Sequence, residues 1–302
     1  MLDIHTHLFW NSYDSDRDAV IARARDAGVK QMICVGTAPE DNSQAIEVAE
    51  KYDGIYASVG LHPHFFNIIE QEISDSKLPV PNKSQISDSK IHNLIEELRG
   101  LAGNSKVIAI GECGLDYFSR DPEKPITVEQ KTFQKSGFLV QLALARELRL
   151  PLIIHTRPSV GSRDAYEDMY EILAHHLSPI THPASRCVLH CYQGDTEITR
   201  QFLELPDIYF SFAGSITYPV KKIVIGTKDD SAETVQLIPL ERMFIETDCP
   251  FLAPQERRGQ RNEPAYVRLI AAKVCELQGI APTEMEAALE RNFTAVFSVG
   301  KS

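Results

Sequence analysis

Two histidines stand two residues apart in Met-Leu-Asp-Ile-His-Thr-His, residues 1 to 7. On a β-strand, His5 and His7 leave the same face, so one rigid element offers two imidazole nitrogens to a divalent cation. Alone, a His-x-His pair is equally an ordinary polar strand end or part of a tag. Its company further along the chain gives it weight. Glu112 lies in Ile-Gly-Glu-Cys-Gly-Leu-Asp-Tyr, His155 closes Pro-Leu-Ile-Ile-His, His190 sits in Leu-His-Cys-Tyr-Gln-Gly, and Asp248 sits in Glu-Thr-Asp-Cys-Pro. Four histidines and two carboxylates are more than one four-coordinate cation takes, and they suit two cations that share a bridging carboxylate. Glu112, on the strand between the two ligand groups, is the expected bridge. Mixed imidazole and carboxylate ligation admits Zn, Mn or Fe and does not exclude Mg. Cys113, Cys191 and Cys249 each follow a proposed ligand by one residue, so they are expected to point away from it and pack.

These side chains need elements that bring them together. Short apolar runs at 2 to 6, 31 to 36, 55 to 60, 107 to 111, 151 to 155, 187 to 191, 208 to 213 and 242 to 247 read as strands. They are apolar on both alternations, as parallel strands buried on both faces must be, and most are separated by one helix-like segment. The pattern predicts an α/β fold, a single-domain (β/α)₈ barrel of the TIM type. In such a barrel the active site lies at the C-terminal ends of the strands, which is where the six polar residues interrupt the apolar runs. Helix punctuation supports the reading: Gly28 follows the periodic run 18 to 27, and Thr127 with Gln130 forms a capping box ahead of a helix ending near Leu148. Further helices are expected at 164 to 177, 264 to 278 and 283 to 297. The interval 70 to 90 breaks the alternation. It is polar, and Ile-Ser-Asp-Ser-Lys occurs in it twice, at 73 to 77 and 86 to 90. It reads as a solvated surface insertion. A second long connection, 157 to 186, carries Arg157 and Arg163 toward the rim.

Composition narrows the function classes. The chain has 302 residues, a length that (β/α)₈ barrels routinely fill as one domain, and a formal net charge of −11. That charge argues against a nonspecific nucleic-acid coat, because such proteins present broad Lys and Arg surfaces. A polyanion would be met locally and with metal assistance. Six scattered cysteines show neither disulfide-scaffold nor Cys-x-x-Cys spacing, which fits a reducing compartment. Met1 leads directly into the first strand with no signal-like segment, and no apolar run reaches spanning length. The expectation is a cytosolic or nuclear protein without membrane contact.

Taken in order, Asp3-Ile4-His5-Thr6-His7, Gly60-Leu61-His62-Pro63-His64, Gly111-Glu112-Cys113-Gly114-Leu115-Asp116-Tyr117, Ile154-His155, His190-Cys191-Tyr192-Gln193-Gly194, Glu246-Thr247-Asp248-Cys249-Pro250 and Arg261-Asn262-Glu263-Pro264 resemble the TatD family of metal-dependent deoxyribonucleases, within the amidohydrolase-like barrels. The resemblance runs from residue 3 to residue 264. It implies one metal held by His5, His7, Glu112 and Asp248, and another held by Glu112, His155 and His190. It also implies hydrolysis of DNA phosphodiesters, commonly as a 3′ to 5′ exonuclease. One departure stands out: after His155 the family often has His-x-Arg-Asp/Glu-Ala, whereas here Arg157 is followed by Pro-Ser-Val-Gly-Ser before Arg163-Asp164-Ala165.

On this reading Asp248 is both a ligand and the general base toward the attacking water, with Glu112 the second catalytic carboxylate. His62 and His64 are expected to hydrogen-bond the phosphate. Arg257, Arg258 and Arg261 form a basic cluster beyond the last strand, placed to position a DNA backbone, single-stranded or at 3′ ends. Two rivals remain. A small-molecule metallohydrolase is disfavoured because many such barrels bridge their metals with a modified lysine where this chain has Glu112. A non-catalytic interaction scaffold has no need of six ligands.

Overall fold

In the computed structural model, residues 1–75, 80–177, 186–219 and 230–297 are described. Eight parallel strands form one sheet in sequence order: β1 (Leu2–Thr6), β2 (Gln31–Val35), β3 (Ile55–Val59), β4 (Val107–Asp116), β5 (Leu152–Arg157), β6 (Cys187–Leu189), β7 (Ile208–Phe212) and β8 (Met243–Ile245). The ring closes just past β8, where Thr6 and Cys249 form a parallel bridge and Asp248 N donates to the His5 carbonyl at 2.9 Å. Asp3 secures this seam from inside, accepting from Thr247 Oγ1 at 2.6 Å and from Thr247 N at 2.9 Å. Burial pushes its carboxyl up to about 8, against those hydrogen bonds.

The helices are α1 (Arg17–Asp26), α2 (Pro39–Lys51), α3 (Pro63–Asp75), α4 (Val80–Ala102), α5 (Val128–Leu148), α6 (Asp164–His176), α7 (Thr196–Glu204), α8 (Ser231–Leu237), α9 (Val267–Gln278) and α10 (Pro282–Phe297). The capping box at Thr127 and Gln130 is present in full. Strand residues such as Ile4, Ile33, Ala57, Ile110, Ile153, Val188, Phe210 and Phe244 have no more than 1% exposure, as expected of strands covered on both faces. No described helix is long and apolar enough to cross a membrane.

Several strand boundaries differ from the sequence reading, three of them at proposed ligands. β4 continues to Asp116 instead of stopping at Gly111, while β6 and β8 stop at Leu189 and Ile245, so His190 and Asp248 sit in the turns beyond. The interval 70 to 90 departs less from the alternation than its composition implied, because α3 and α4 run into it from both sides; 76 to 79 lie outside the described residues. Of the long connection 157 to 186, α6 is described and 178 to 185 lie outside the described residues as well.

Polar side chains of the helices fix the strand ends around the mouth. Gln134 and Gln141 of α5 are fully buried. Gln134 bonds both backbone groups of Asp116, at 2.8 and 2.9 Å, and Gln141 does the same for Leu61, at 2.8 and 3.0 Å. Asn42 of α2 likewise bonds Gly60 N at 2.9 Å and Gly60 O at 3.1 Å. Buried loop backbone that the ladder does not satisfy needs such partners.

Candidate metal centre

The two strands that carry the central proposed ligands are both bulged at those residues. Against β2, β1 advances from Asp3 to Thr6 while its partner advances only from Met32 to Cys34; against β5, β4 advances from Ile110 to Cys113 while its partner advances from Leu152 to Ile154. One extra residue in each strand re-aims the side chain beside it, which is how bulges serve sites at barrel rims. The β4 bulge depends on Gly111. Its φ of +144° lies in a region disfavoured for L side chains, and a Cβ there would collide with the Ile153 carbonyl. Beyond β8, Asp248 adopts φ +55° and its side chain approaches His7.

The result is a buried cluster organised around Glu112. Its Oε2 lies 3.3 Å from His5 Nε2 and 3.9 Å from His7 Nε2, and Asp248 Oδ1 lies 3.8 and 3.4 Å from the same two nitrogens. Oε1 faces the other way, 2.7 Å from His155 Nδ1 and 2.9 Å from His190 Nε2. All six ligands expected from the sequence are thus brought together. The donor set itself fits cations: His5 Nε2 and His7 Nε2 converge to 3.2 Å, and His155 Nδ1 and His190 Nε2 to 3.0 Å. Imidazole nitrogens brought this close, with carboxylates beside them, present the lone pairs that a divalent metal takes. His5, His7 and Glu112 form one triad with metal-holding spacing, and Glu112, His155 and His190 form another.

Two carboxylates behind the histidines were quoted within the sequence motifs without a role. Asp116 Oδ2 lies 3.2 Å from His155 Nε2 and 3.0 Å from His64 Nε2. Glu246, fully buried, places Oε1 3.0 Å from His190 Nδ1 and accepts from Cys191 N at 2.8 Å. Carboxylates in this position set the tautomer and orientation of ligating histidines. The signal available was a charged residue inside or just beyond a strand buried on both faces. His7 is set differently, by the Val35 carbonyl 2.8 Å from Nδ1. Two buried atoms in this cluster, His5 Nδ1 and Glu246 Oε2, have no hydrogen-bond partner.

Electrostatics divide the histidines. Burial disfavours the charged form of His155, but hydrogen bonds to Asp116 and Glu112 outweigh it and push the imidazole up to about 9. His190 is likewise raised well above its ordinary value, burial being overcome by Glu112 and Glu246. His5 is lowered, by burial and by the nearby His190. Burial also raises carboxyl groups, yet Glu112 is held well below the usual carboxylate range by His190, His62, His5 and the bond from His155.

A match to the family model described as TatD related DNase spans residues 2–298. The chain belongs to the TatD family. It is 33% identical over 301 residues to YabD of Bacillus subtilis, an uncharacterized metal-dependent hydrolase, with 99% of each chain covered. It is 30% identical over 301 residues to the 3′-5′ ssDNA/RNA exonuclease TatD of Cronobacter sakazakii, covering 98% of this chain and 97% of that one. Among solved structures, the TatD homolog YjjV of Escherichia coli K12 superposes with a TM-score of 0.78 at 26% identity, covering 99% of this chain and 98% of that one. The protein is therefore a metal-dependent hydrolase on a TatD-type barrel.

The remaining candidates of this TatD chain scatter. His62 Nε2 reaches to 3.5 Å from Glu112 Oε1, and burial lowers its imidazole to about 3, whereas His64 is exposed at the rim. Arg261 is committed elsewhere: it pairs with both oxygens of Asp16, at 2.9 and 2.7 Å, and covers the Tyr13 ring. Its neighbours serve the same clamp, with Asn262 Nδ2 donating to the Thr247 and Phe251 carbonyls and Glu263 holding Arg23 at 2.6 Å. Arg257 and Arg258 remain exposed, lying over Tyr266 and Tyr218. In the altered stretch after β5, Arg163 pairs with Asp195 and Glu197, and Arg157 is exposed over Phe118. Cys113 and Cys249 are buried as expected, while Cys191 is half-buried beside Gln193.

Proposed function

We propose that this TatD-family hydrolase cleaves DNA phosphodiester bonds at a two-metal site, removing nucleotides from the 3′ end of single strands. The observation that supports it is the division of Glu112, one carboxylate oxygen facing His5 and His7 and the other facing His155 and His190. His5, His7, Glu112 and Asp248 would hold one divalent cation and Glu112, His155 and His190 the other, Mg, Mn and Zn all being compatible. When bound, such a pair lowers the pKa of the attacking water, neutralises the phosphate oxygens and stabilises the leaving alkoxide.

The chain's own groups supply the rest. Asp248 stands nearer the mouth than Glu112, its side chain 14% exposed against 6%, and His7 and the neighbouring histidines outweigh burial to keep it ionised at neutral pH. It takes the proton of the attacking water. His62, neutral at that pH, offers one N–H to a phosphate oxygen, and His64 and Arg257 at the rim meet the strand. The relative named as a 3′-5′ ssDNA/RNA exonuclease supports the choice of polymer and direction. Metal analysis of the purified protein, combined with digestion of 5′-labelled single- and double-stranded DNA, tests the reading. Two cations per chain and a ladder receding from the 3′ end are expected, both lost with chelator. Full metal content with intact DNA would move the assignment to a small-molecule substrate.

A further inference from the structure

The largest apolar side chains left exposed among the described residues are Trp10, Ile68, Val128, Val160 and Phe251. Single exposed apolar groups are ordinary. Trp10 and Phe251 are different, because they pack on each other beside the metal centre. Their ring centroids lie 4.9 Å apart at 86°, and the His7 ring lies 6.3 Å from Trp10 and 6.0 Å from Phe251. Trp10 is 37% exposed and Phe251 42%.

The two rings are also built into the site symmetrically. Each follows a proposed ligand by three residues, and each is tied to that ligand by one backbone turn: Trp10 N donates to the His7 carbonyl at 3.1 Å, and Phe251 N donates to the Asp248 carbonyl at 2.9 Å. Arg17 braces the first turn through the Leu8 and Phe9 carbonyls, at 2.7 and 3.0 Å, and Asn262 braces the second through the Phe251 carbonyl at 2.6 Å. An aromatic corner held at fixed distance from the reacting centre, with exposed Arg257 and Arg258 further along the same loop, is the form of a single-strand stacking platform.

We propose that Trp10 and Phe251 form the stacking site for the nucleobase next to the scissile phosphate. This rests on the phosphodiesterase reading above and adds to it the requirement that the substrate carry an unpaired base at that position. A base held in a duplex keeps both faces stacked, so the corner selects single-stranded or frayed 3′ ends. Because every base has a π-face, it discriminates weakly among the four.

Trp10 is the sole tryptophan of the chain, so its emission reports the corner directly. The metal-loaded protein is titrated with thymidine 5′-monophosphate and, separately, with deoxyribose 5-phosphate. The nucleotide should quench Trp10 and the sugar phosphate should not, and Phe251→Ala should weaken nucleotide binding by roughly 5- to 150-fold while sugar phosphate binding, followed by calorimetry, is unchanged. In cleavage assays Trp10→Ala should raise KM by a similar factor on a 3′ end that carries its base, leave an abasic 3′ end unaffected, and be rescued by Trp10→Phe. Absence of quenching, or equal losses on both ends, overturns the platform. Emission that changes with protein concentration alone, with a dimer in sedimentation, would show that a second copy covers the rings and would also overturn it. The phosphodiesterase reading fails separately, if the wild type leaves DNA intact while the nucleotide still quenches.

Discussion

The two halves of the candidate metal centre are built from the same residue types and differ in what stands behind their histidines. On the β5 and β6 side, His155 and His190 close on Glu112 at 2.7 and 2.9 Å, and each has a further carboxylate within reach of its other ring nitrogen, Asp116 and Glu246. On the β1 and β8 side, His5 and His7 stand 3.3 and 3.9 Å from Glu112, with a backbone carbonyl behind His7 and no partner for His5 Nδ1. The first half therefore stores protons on both imidazoles; in the second, Asp248 and Glu112 raise His7 as well, and only His5 is kept neutral, by burial and by His190. A cation entering the first half must displace protons, whereas His5 already presents a free nitrogen lone pair.

The largest expected effect joins the halves. Glu112→Ala removes the only ligand shared by both triads, so metal content should fall at both positions and hydrolysis should be abolished. Retention of two cations per chain in that variant would mean that the halves are independent. Next in size, Asp248→Asn keeps one coordinating oxygen and loses the base. We expect cleavage to drop by roughly 10² to 10⁴, about 3 to 5 kcal/mol in the barrier, with most of the metal retained. Strictly parallel losses of metal and rate would reduce Asp248 to a ligand.

Smaller changes sharpen the contrast. Glu246→Gln and Asp116→Asn leave every proposed ligand in place and weaken what stands behind His190 and His155, along with the contacts to Cys191 N and His64. Metal affinity of the β5 and β6 half should fall by about 10- to 100-fold, with the β1 and β8 half unchanged in chelator competition; an equal loss in both halves would erase the distinction. The smallest effect is one of pH. In the metal-free protein the folded pKa of His155 is raised from 6.5 to about 9, so its proton contributes stability in full below about 6.5, and that contribution is lost as pH rises through 9. Metal uptake by that half should strengthen with pH across the same window, by about tenfold per unit for each proton displaced. Calorimetry in buffers of different ionisation enthalpy counts those protons, and uptake without proton release contradicts the charged state of His155 and His190.

Much of the site was legible in advance. Buried parallel strands advertise themselves as apolar runs, and a histidine or carboxylate ending such a run is conspicuous, which is why His5, His7, Glu112, His155, His190 and Asp248 were found together. Arg261 was legible as a basic residue near the site and misleading about its task, because nothing in the local sequence shows Asp16 arriving from 245 residues away to pair with it. In the polar interval 70 to 90, the Ser, Asp and Lys content gave no sign that α3 would run to Asp75 and that α4 would begin at Val80.

By itself the sequence determined the barrel and which polar side chains would converge at its mouth, since strand periodicity and the position of polar residues at strand ends are local properties of the chain. Only the tertiary structure decided how those ligands divide. The bulges at His5 and at Gly111–Glu112 depend on register against β2 and β5, and the proton affinities of His155 and His190 depend on carboxylates brought in from β4 and from beyond β8. The pairing of Trp10 with Phe251 joins two loops 241 residues apart. Register, burial and the approach of distant charges are properties of packing, and they become definite only when the ring of strands closes.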